Sequence, residues 1–425
     1  MTEAFLHYLW KYRLFSKNKL FTTEGEPIEV LNPGRHNTDA GPDFLDARIK
    51  IGDTLWAGHV ELHFKSSAWN SHGHSSDSTY DNVVLHVVYE NDRDIPSNKS
   101  GNLPALELKN RFDPRLWENY QELVNSLQWI SCSHRLKEVP AFTVLNWLDA
   151  LLVERLQSKT EIVSQLLEEN DNDWEESFYQ RLAYNFGLKV NAETFLSLAR
   201  SLPLQVIRKH RDSQLQVEAL LYGQSGMLQP GMKDPYGKDL YREYRFLRLK
   251  FRLEPVTYAS WKFLRLRPPS FPTVRLAQLA ALLHHHQNLF SKILEAENYE
   301  TLQSLFEADV SSYWKTHHRF GKPSIPNEKL IGESFFHSVL INTVLPFLFA
   351  YGRFKQEEEK CERAMKFLER IPAEDNKVIR MWKEHGIQPT HAGHSQALLQ
   401  LKTFYCEPKN CVICSIGQTL ITKVP

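Results

Sequence analysis

From Gly58 to Trp69 the chain reads GHVELHFKSSAW, in which His59, Glu61, His63 and Lys65 alternate with Val60, Leu62 and Phe64. Alternation of period two predicts a half-buried β-strand, because successive side chains point to opposite faces. Upstream, Phe5, Leu6, Leu9, Trp10 and Leu14 recur at helical spacing, with Thr2 as a candidate N-cap. Strand-like runs PIEVLNPG and DFLDARIKI follow, and Gly52-Asp53 marks a hairpin turn into TLWAGHVELHF. A polar connector, SSAWNSHGHSSDSTYDN, leads to VVLHVVYE, whose β-branched residues predict a buried strand. The order is helix, three strands, connector and strand, ending near residue 110.

From about residue 112 the period changes to 3.6 in RLWENYQELVNSL, VLNWLDALLVERLQSKTEIVSQLL, ESFYQRLAYNFGL, VRLAQLAALLHHHQNLFSKIL and FHSVLINTVLPFLFAYGRF. Loops are expected near GQSGMLQPGMKDPYG and RLRPPSFPT. The pattern predicts an α+β or α/β chain in three parts. These are an N-terminal mixed-sheet domain (residues 1–111), a mainly helical domain (112–385), and a C-terminal helix with a Cys-rich tail (386–425).

Composition narrows this picture little. The 425 residues suit two or three domains. Lys+Arg and Asp+Glu balance at 51 each, so only local clustering speaks to a nucleic-acid partner. The first fifteen residues include Glu3, His7, Lys11 and Arg13, which is no signal-peptide pattern. No run approaching the ~18 apolar residues of a membrane span is expected. The expected location is cytoplasmic, with no membrane association. There the five cysteines would not form a disulfide framework.

Three constellations carry chemistry. The first is acidic: Asp43 follows Pro42 at the head of one strand, and Glu61 sits on the next with His63 and Lys65 on its face. Two converging carboxylates hold Mg²⁺ or Mn²⁺ by oxygen, and a nearby cation orients water or stabilises developing charge. A two-residue turn pairs Ile51 with Thr54 and, continued, puts Asp46 near His59 and Phe44 opposite Glu61. A bulge would bring Asp43 to Glu61 instead. Asp43 is favoured, with Asp46 open. The ordinary reading is a solvated strand face, with His72 and His74 in a polar loop and His86 a core histidine.

The second constellation is Cys406-x4-Cys411-x2-Cys414, a metal-ligand spacing for Zn²⁺ or an iron–sulfur cluster. Cys132 is the natural fourth ligand and His391 or His394 the alternatives, while Cys361 reads as a plain helix residue. The ordinary reading is free cysteines in a tail. The third is basic and aromatic, YREYRFLRLKFRLEPVTYASWKFLRLRPPSFPTVR, with Arg245, Arg248, Arg252, Arg265 and Arg267 among Tyr, Phe and Trp. Arginine grips phosphate and aromatic rings stack on unpaired bases. The ordinary reading pairs these arginines with acidic stretches such as EENDNDWEE.

The Pro42-Asp43 and Glu61-x-His63 elements resemble the PD-(D/E)xK nuclease superfamily, in which such residues build a metal site within an αβββαβ core. The chain departs from that motif in having His63 where it places Lys, with Lys65 two residues on. A distant cysteine closing on a C-terminal triplet resembles the iron–sulfur staple of RecB-like nucleases, at a different spacing. Taken whole, the chain resembles a bacterial family of unknown function. The resemblance rests on NPGRHNTDAGPDFLDARIKIGDTLWAGHVELHFKSSAW, YDNVVLHVVYEND, WKFLRLRPPSFPTVRLAQLA and HSQALLQLKTFYCEPKNCVICSIG. The expected function is a metal-dependent nuclease, or a nuclease-fold protein that processes nucleic acid. Asp43 and Glu61 would ligate the ion, and Lys65 or His63 would assist water attack. The alternative is a non-enzymatic, metal-stapled scaffold that binds nucleic acid or protein.

Overall fold

A computed structural model describes residues 1–97 and 101–423. The fold is α+β: a mixed sheet near the N-terminus, then a largely helical region. The first helix, α1 (Glu3–Lys11), buries Phe5, Leu6, Tyr8, Leu9 and Trp10. Thr2 occupies its N-cap position, but the hydroxyl lies 3.2 Å from Tyr120 Oη and does not cap the helix.

Six strands follow: β1 (Ile28–Asn32), β2 (Arg35–His36), β3 (Phe44–Ile51), β4 (Thr54–Lys65), β5 (Val83–Glu90) and β6 (Ala105–Glu107). The sheet order is β1-β3-β4-β5-β6, with β2 pairing beside β3. β1, β3 and β4 are antiparallel, whereas β5 runs parallel to β4 and β6 parallel to β5. The Gly52-Asp53 turn forms, with Gly52 at φ +58° and Ile51 paired to Thr54. That register does not continue. It shifts between Ala47, opposite Gly58, and Phe44, opposite Val60. Leu45 and Asp46 therefore face the single residue His59 in a bulge, with Asp46 at φ +60° donating its N–H to His59 Nδ1 at 3.3 Å.

β5 is buried from Val83 to Val88, as a strand covered on both faces should be. β4 departs from its alternating pattern. Its polar positions Glu61 and His63 are only 5% and 1% exposed. The connector after β4 covers them. Within it the short helix α2 (Ala68–Ser71) buries Trp69, whose ring lies 5.2 Å from that of His86 and 5.4 Å from that of His74. The expectation of a half-buried strand with a wet face thus fails, because this cover is built by residues outside the strand.

The chain divides into two compact units. The sheet-bearing unit comprises Met1–Leu148, Met381–Ile387 and Leu399–Pro425. It includes α3 (Pro114–Asn125), against which the helix Ser415–Thr422 packs. The second unit, Asp149–Arg380 with Gln388–Leu398, is helical. Its core stacks Trp174 on Phe290 and sets Phe347 edge-on to Phe178.

One continuous helix of the helical unit, Glu333–Lys355, is long and apolar enough to cross a membrane by length and composition, contrary to the expectation from sequence. Its most apolar window is 78% buried within the protein, as in a core helix. A π-turn at Leu340–Val344 frees carbonyls in this helix. Ile341 O accepts from Lys159 Nζ at 2.9 Å, and Asn342 O from Arg181 Nε at 3.4 Å.

Gly58 fixes how closely β5 approaches β4. A Cβ there would come 2.5 Å from both Asn82 O and Val84 Cγ1. Gly58→Ala should destabilise the protein by roughly 1–3 kcal/mol through overpacking, read as a lower urea midpoint. An unchanged midpoint would refute the close approach.

Candidate functional site

The bulge places Asp43 beside Glu61, and the two carboxylates interlock through backbone. Asp43 N–H donates to Glu61 Oε2 at 3.0 Å, and Leu62 N–H donates to Asp43 Oδ2 at 2.9 Å. From α1, His7 Nε2 reaches Asp43 Oδ2 at 3.2 Å, at the partly exposed edge of the cluster. From the connector come His72 and His74, and from β5 comes His86. His63 Nε2 lies 3.1 Å from His72 Nδ1 and 3.7 Å from Glu61 Oε1. His74 Nε2 lies 3.2 Å from Glu61 Oε1, but without the angle of a hydrogen bond. Behind them, His63 Nδ1 meets His86 Nε2 at 2.9 Å.

The electrostatics follow from burial. Burial, with the Asp43 charge adding to it, pushes the Glu61 carboxyl up to about 8. Burial alone would raise Asp43 too, but the His7 imidazole and the Leu62 N–H outweigh it and hold that carboxylate below its ordinary range. Burial, then the neighbouring His72 and His74, depresses His63 to about 4. Burial depresses His86 to about 3 and lowers His74 as well. The buried imidazoles are therefore neutral near pH 7, with lone pairs available.

This donor set fits a metal ion. Ligand atoms of His63, His72 and His74 all lie within 4.8 Å of one another. Nitrogen and oxygen ligands at ~2.0–2.2 Å from one tetrahedral ion stand about 3.3–3.5 Å apart. The separations of 3.1, 3.2 and 3.7 Å bracket that value. His74 Nε2 is buried with no hydrogen-bond partner, and an ion would satisfy it. His86 occupies the orienting position behind His63 that metal-bound imidazoles usually have filled. Three imidazoles and a carboxylate suit Mn²⁺, Zn²⁺ or Fe²⁺ better than Mg²⁺.

Of the residues singled out in the sequence, Asp43, Glu61 and His63 come together here. Lys65 is exposed at the end of β4, opposite Glu90 in the register, and among the described residues no hydrogen bond or ion pair of the cluster includes it. Asp46 is exposed in the bulge. The sequence pattern did not mark His7, His72, His74 and His86 as site residues. The one local signal was the His-Gly-His spacing at residues 72–74, where Gly73 takes φ +77° and turns the second imidazole inward.

Cys132, Cys406, Cys411 and Cys414 gather within the sheet-bearing unit, close enough that the thiol groups perturb one another. His391 and His394 belong to the helical unit, with rings 3.9 Å apart, and so does Cys361, whose thiol faces Phe349 O at 3.5 Å. Arg245 and Arg248 are exposed on the helix Pro235–Phe251, and Arg252, its C-cap, is exposed as well. Arg265 and Arg267 are exposed in the loop beyond. Among the described residues none of these five arginines is ion-paired. Glu169 and Glu175 of the acidic stretch pair instead with Arg200 and Arg208. Arg275, at the end of the same basic run, is buried over the Phe335 ring at 3.6 Å.

An α+β protein with a buried acid–imidazole cluster on its sheet is the class these features define. The chain belongs to the family described as "Protein of unknown function (DUF2851)", matched over residues 3–377. No curated protein and no solved structure matches it.

The raised Glu61 carboxyl gives a stability prediction with a definite sign. Its folded-state value lies above its ordinary 4.5, so the stability it contributes is full below pH 4.5 and is lost as pH rises through about 8. In protein stripped of divalent ions, wild type should lose a few kcal/mol relative to Glu61→Gln between pH 4.5 and 9, because each pH unit separating the folded and ordinary values is worth ~1.4 kcal/mol. Paired urea titrations at the two pH values read it. A gap that does not change with pH would rule the buried acid out.

Proposed function

We propose that the protein is a metal-dependent phosphodiesterase acting on nucleic acid. The observation that carries this reading is the convergence of two interlocked carboxylates with three imidazoles at ligand separations. His63, His72, His74 and Glu61 would hold one divalent ion. Mn²⁺ is the ion common to this donor set and to the carboxylate chemistry expected from the sequence. The ion's contribution is Lewis acidity toward a phosphoryl oxygen and a water that ionises near neutral pH.

The chain's own residues supply the rest. Asp43 stays ionised and holds the His7 ring at the open edge of the cluster. His7 is thereby placed to take the proton of the attacking water, with Asp43 stabilising the imidazolium that forms. His86 orients His63. In this reading Lys65 is not needed next to the reacting phosphate. The unpaired arginines from Arg245 to Arg267, with exposed Phe246 and Tyr258 among them, would grip the backbone and stack on bases.

One observation favours the scaffold alternative. Each carboxylate already caps a backbone N–H of the neighbouring strand, a use that needs no catalysis. Incubating the full chain with single- and double-stranded DNA and RNA in Mn²⁺, Mg²⁺ or Zn²⁺ separates the two. Cleavage should require Mn²⁺ or Zn²⁺, fall about 10–100-fold in His86→Ala, and fall further in Glu61→Ala and His74→Ala. No cleavage by folded, metal-replete protein would select the scaffold.

Binding gives a second expectation. Arg245→Gln with Arg265→Gln should weaken binding across all sequences. The combined change should flatten the salt dependence by about one unit of log–log slope for each phosphate the side chains cease to grip. An unchanged slope would remove these arginines from the interface.

A further inference from the structure

The helical unit holds a cavity of about 610 Å³ beside the first turn of the helix Glu333–Lys355. Gly332, at the N-cap, has no side chain to satisfy that turn, so free N–H groups remain at the positive end of the helix. Arg275, on the helix Pro272–His285, forms part of the wall together with Ser270, Ser334 and Ser338. Arg275 is only 8% exposed. Its guanidinium lies 3.6 Å over the Phe335 ring, and Nη1 donates to Gln278 Oε1 at 2.8 Å. Its Nε is buried with no hydrogen-bond partner.

A second cation sits behind Gln278. Gln278 Nε2 donates to Lys329 O at 2.8 Å and to Leu330 O at 3.1 Å. Lys329 is held at φ +53°, a conformation costly for a residue with a Cβ, and Asn327 Oδ1 fixes it by accepting its N–H at 2.9 Å. The Lys329 side chain is 6% exposed, and Nζ is buried with no hydrogen-bond partner. It lines an adjoining cavity of about 280 Å³, which shares Pro269, Gln278 and Leu330 with the first.

Two buried cations side by side lack a counter-anion. Burial draws Arg275 down to about 10 and lowers Lys329, and no carboxylate opposes either shift. Arg275 is still charged at pH 7, and a charge so enclosed is ordinarily paired. Glu333 is the one acid among the residues lining the larger cavity. Its charge acts instead on Tyr299 and His337, in the wall of a different cavity. A guanidinium fork, hydroxyls and helix N–H groups offer more donors than the two oxygens of a carboxylate accept, and they suit a phosphoryl group. The turn Pro268–Ser270 joins this wall directly to the exposed Arg265 and Arg267.

We propose that this cavity binds a phosphoryl anion, with Arg275 as the fork, Ser270, Ser334 and Ser338 as hydroxyl donors, and Lys329 adding its charge from behind Gln278. The site lies apart from the acid–imidazole cluster and does not depend on the activity proposed for it. The phosphoryl group is either that of a free small phosphate or the terminal phosphate of a nucleic-acid strand, which Arg265 and Arg267 would then hold beyond the cavity.

The test is calorimetric titration of the full chain in EDTA, which keeps metal chemistry out. The probes are inorganic phosphate, a nucleoside monophosphate, and a short DNA strand bearing a 5′-phosphate or a 5′-hydroxyl. Saturable binding is expected, weakened about 10–100-fold in Arg275→Gln. Ser334 is exposed, and an acid in the first turn of a helix is favourable, so Ser334→Asp should fold with an unchanged or higher melting temperature. It should weaken binding by at least as much, because its carboxylate takes the anion's place. A preference for the 5′-phosphorylated strand over the 5′-hydroxyl strand, lost in both variants, would support the site and identify a strand end. Equal affinity for inorganic phosphate and the nucleotide, lost in the same way, would support it and identify a free small phosphate. Absence of saturable binding to the folded wild type would overturn the proposal, as would binding that survives in folded Arg275→Gln and Ser334→Asp. Acetate bound as tightly as phosphate would overturn the phosphoryl assignment.

Discussion

Everything at the candidate site depends on the reciprocal bond between β3 and β4, in which each strand's carboxylate accepts the other strand's N–H. Both acids are drawn out of bulk water, and for a buried carboxylate the hydrogen bond to backbone is what limits the cost of burial. The bond exists because two residues, Leu45 and Asp46, are accommodated opposite His59. Without that extra residue the pairing would continue from the hairpin and Asp43 would fall on the wrong side of the sheet. The same geometry splits the behaviour of the two acids. Asp43, at the edge with His7, stays charged, while Glu61, deeper and next to that charge, resists ionising. A pair of carboxylates driven apart in this way is what acid–base and metal chemistry both use.

Much of the sheet could be read in the sequence because it is set by local rules. Gly52-Asp53 specified its turn, the alternation in DFLDARIKI specified the buried face of β3, and the β-branched residues of VVLHVVYE specified a buried strand. The site could be read only in part. Asp43, Glu61 and His63 lie on or next to strands whose pattern is visible. His72 and His74 lie in a connector without periodicity, and their direction is set by Gly73 and by Trp69 packing over the strand. His7 lies on a helix whose apolar stripe says where the helix packs and nothing about which polar side chain reaches Asp43. Burial of the polar face of β4 is likewise a tertiary fact, imposed by residues outside the strand.

The basic run shows the opposite difficulty. Its charge is obvious in sequence, but the fold sorts it. Arg275 is taken into the core over Phe335, and Arg248 Nε bonds the carbonyl of Leu253 past the end of its helix. Arg245, Arg252, Arg265 and Arg267 point outward and, among the described residues, have no carboxylate partners. Charge counting could not separate these fates, since it ignores which helical face is buried. The neutral total of the chain also concealed that the acidic stretch near residue 170 already has its own arginines at positions 200 and 208.

The discontinuous make-up of the sheet-bearing unit bears on how the chain is made. Residues 399–425 belong with residues 1–148, yet the ribosome inserts most of the helical unit between them. The sheet-bearing unit therefore waits for a closing segment that follows most of the helical unit. The helical unit, whose main stretch Asp149–Arg380 is uninterrupted, is free to fold in that interval. Completion of the first unit is then a late event in synthesis, and a chain cut short before Cys406 would lack the helix that packs against α3.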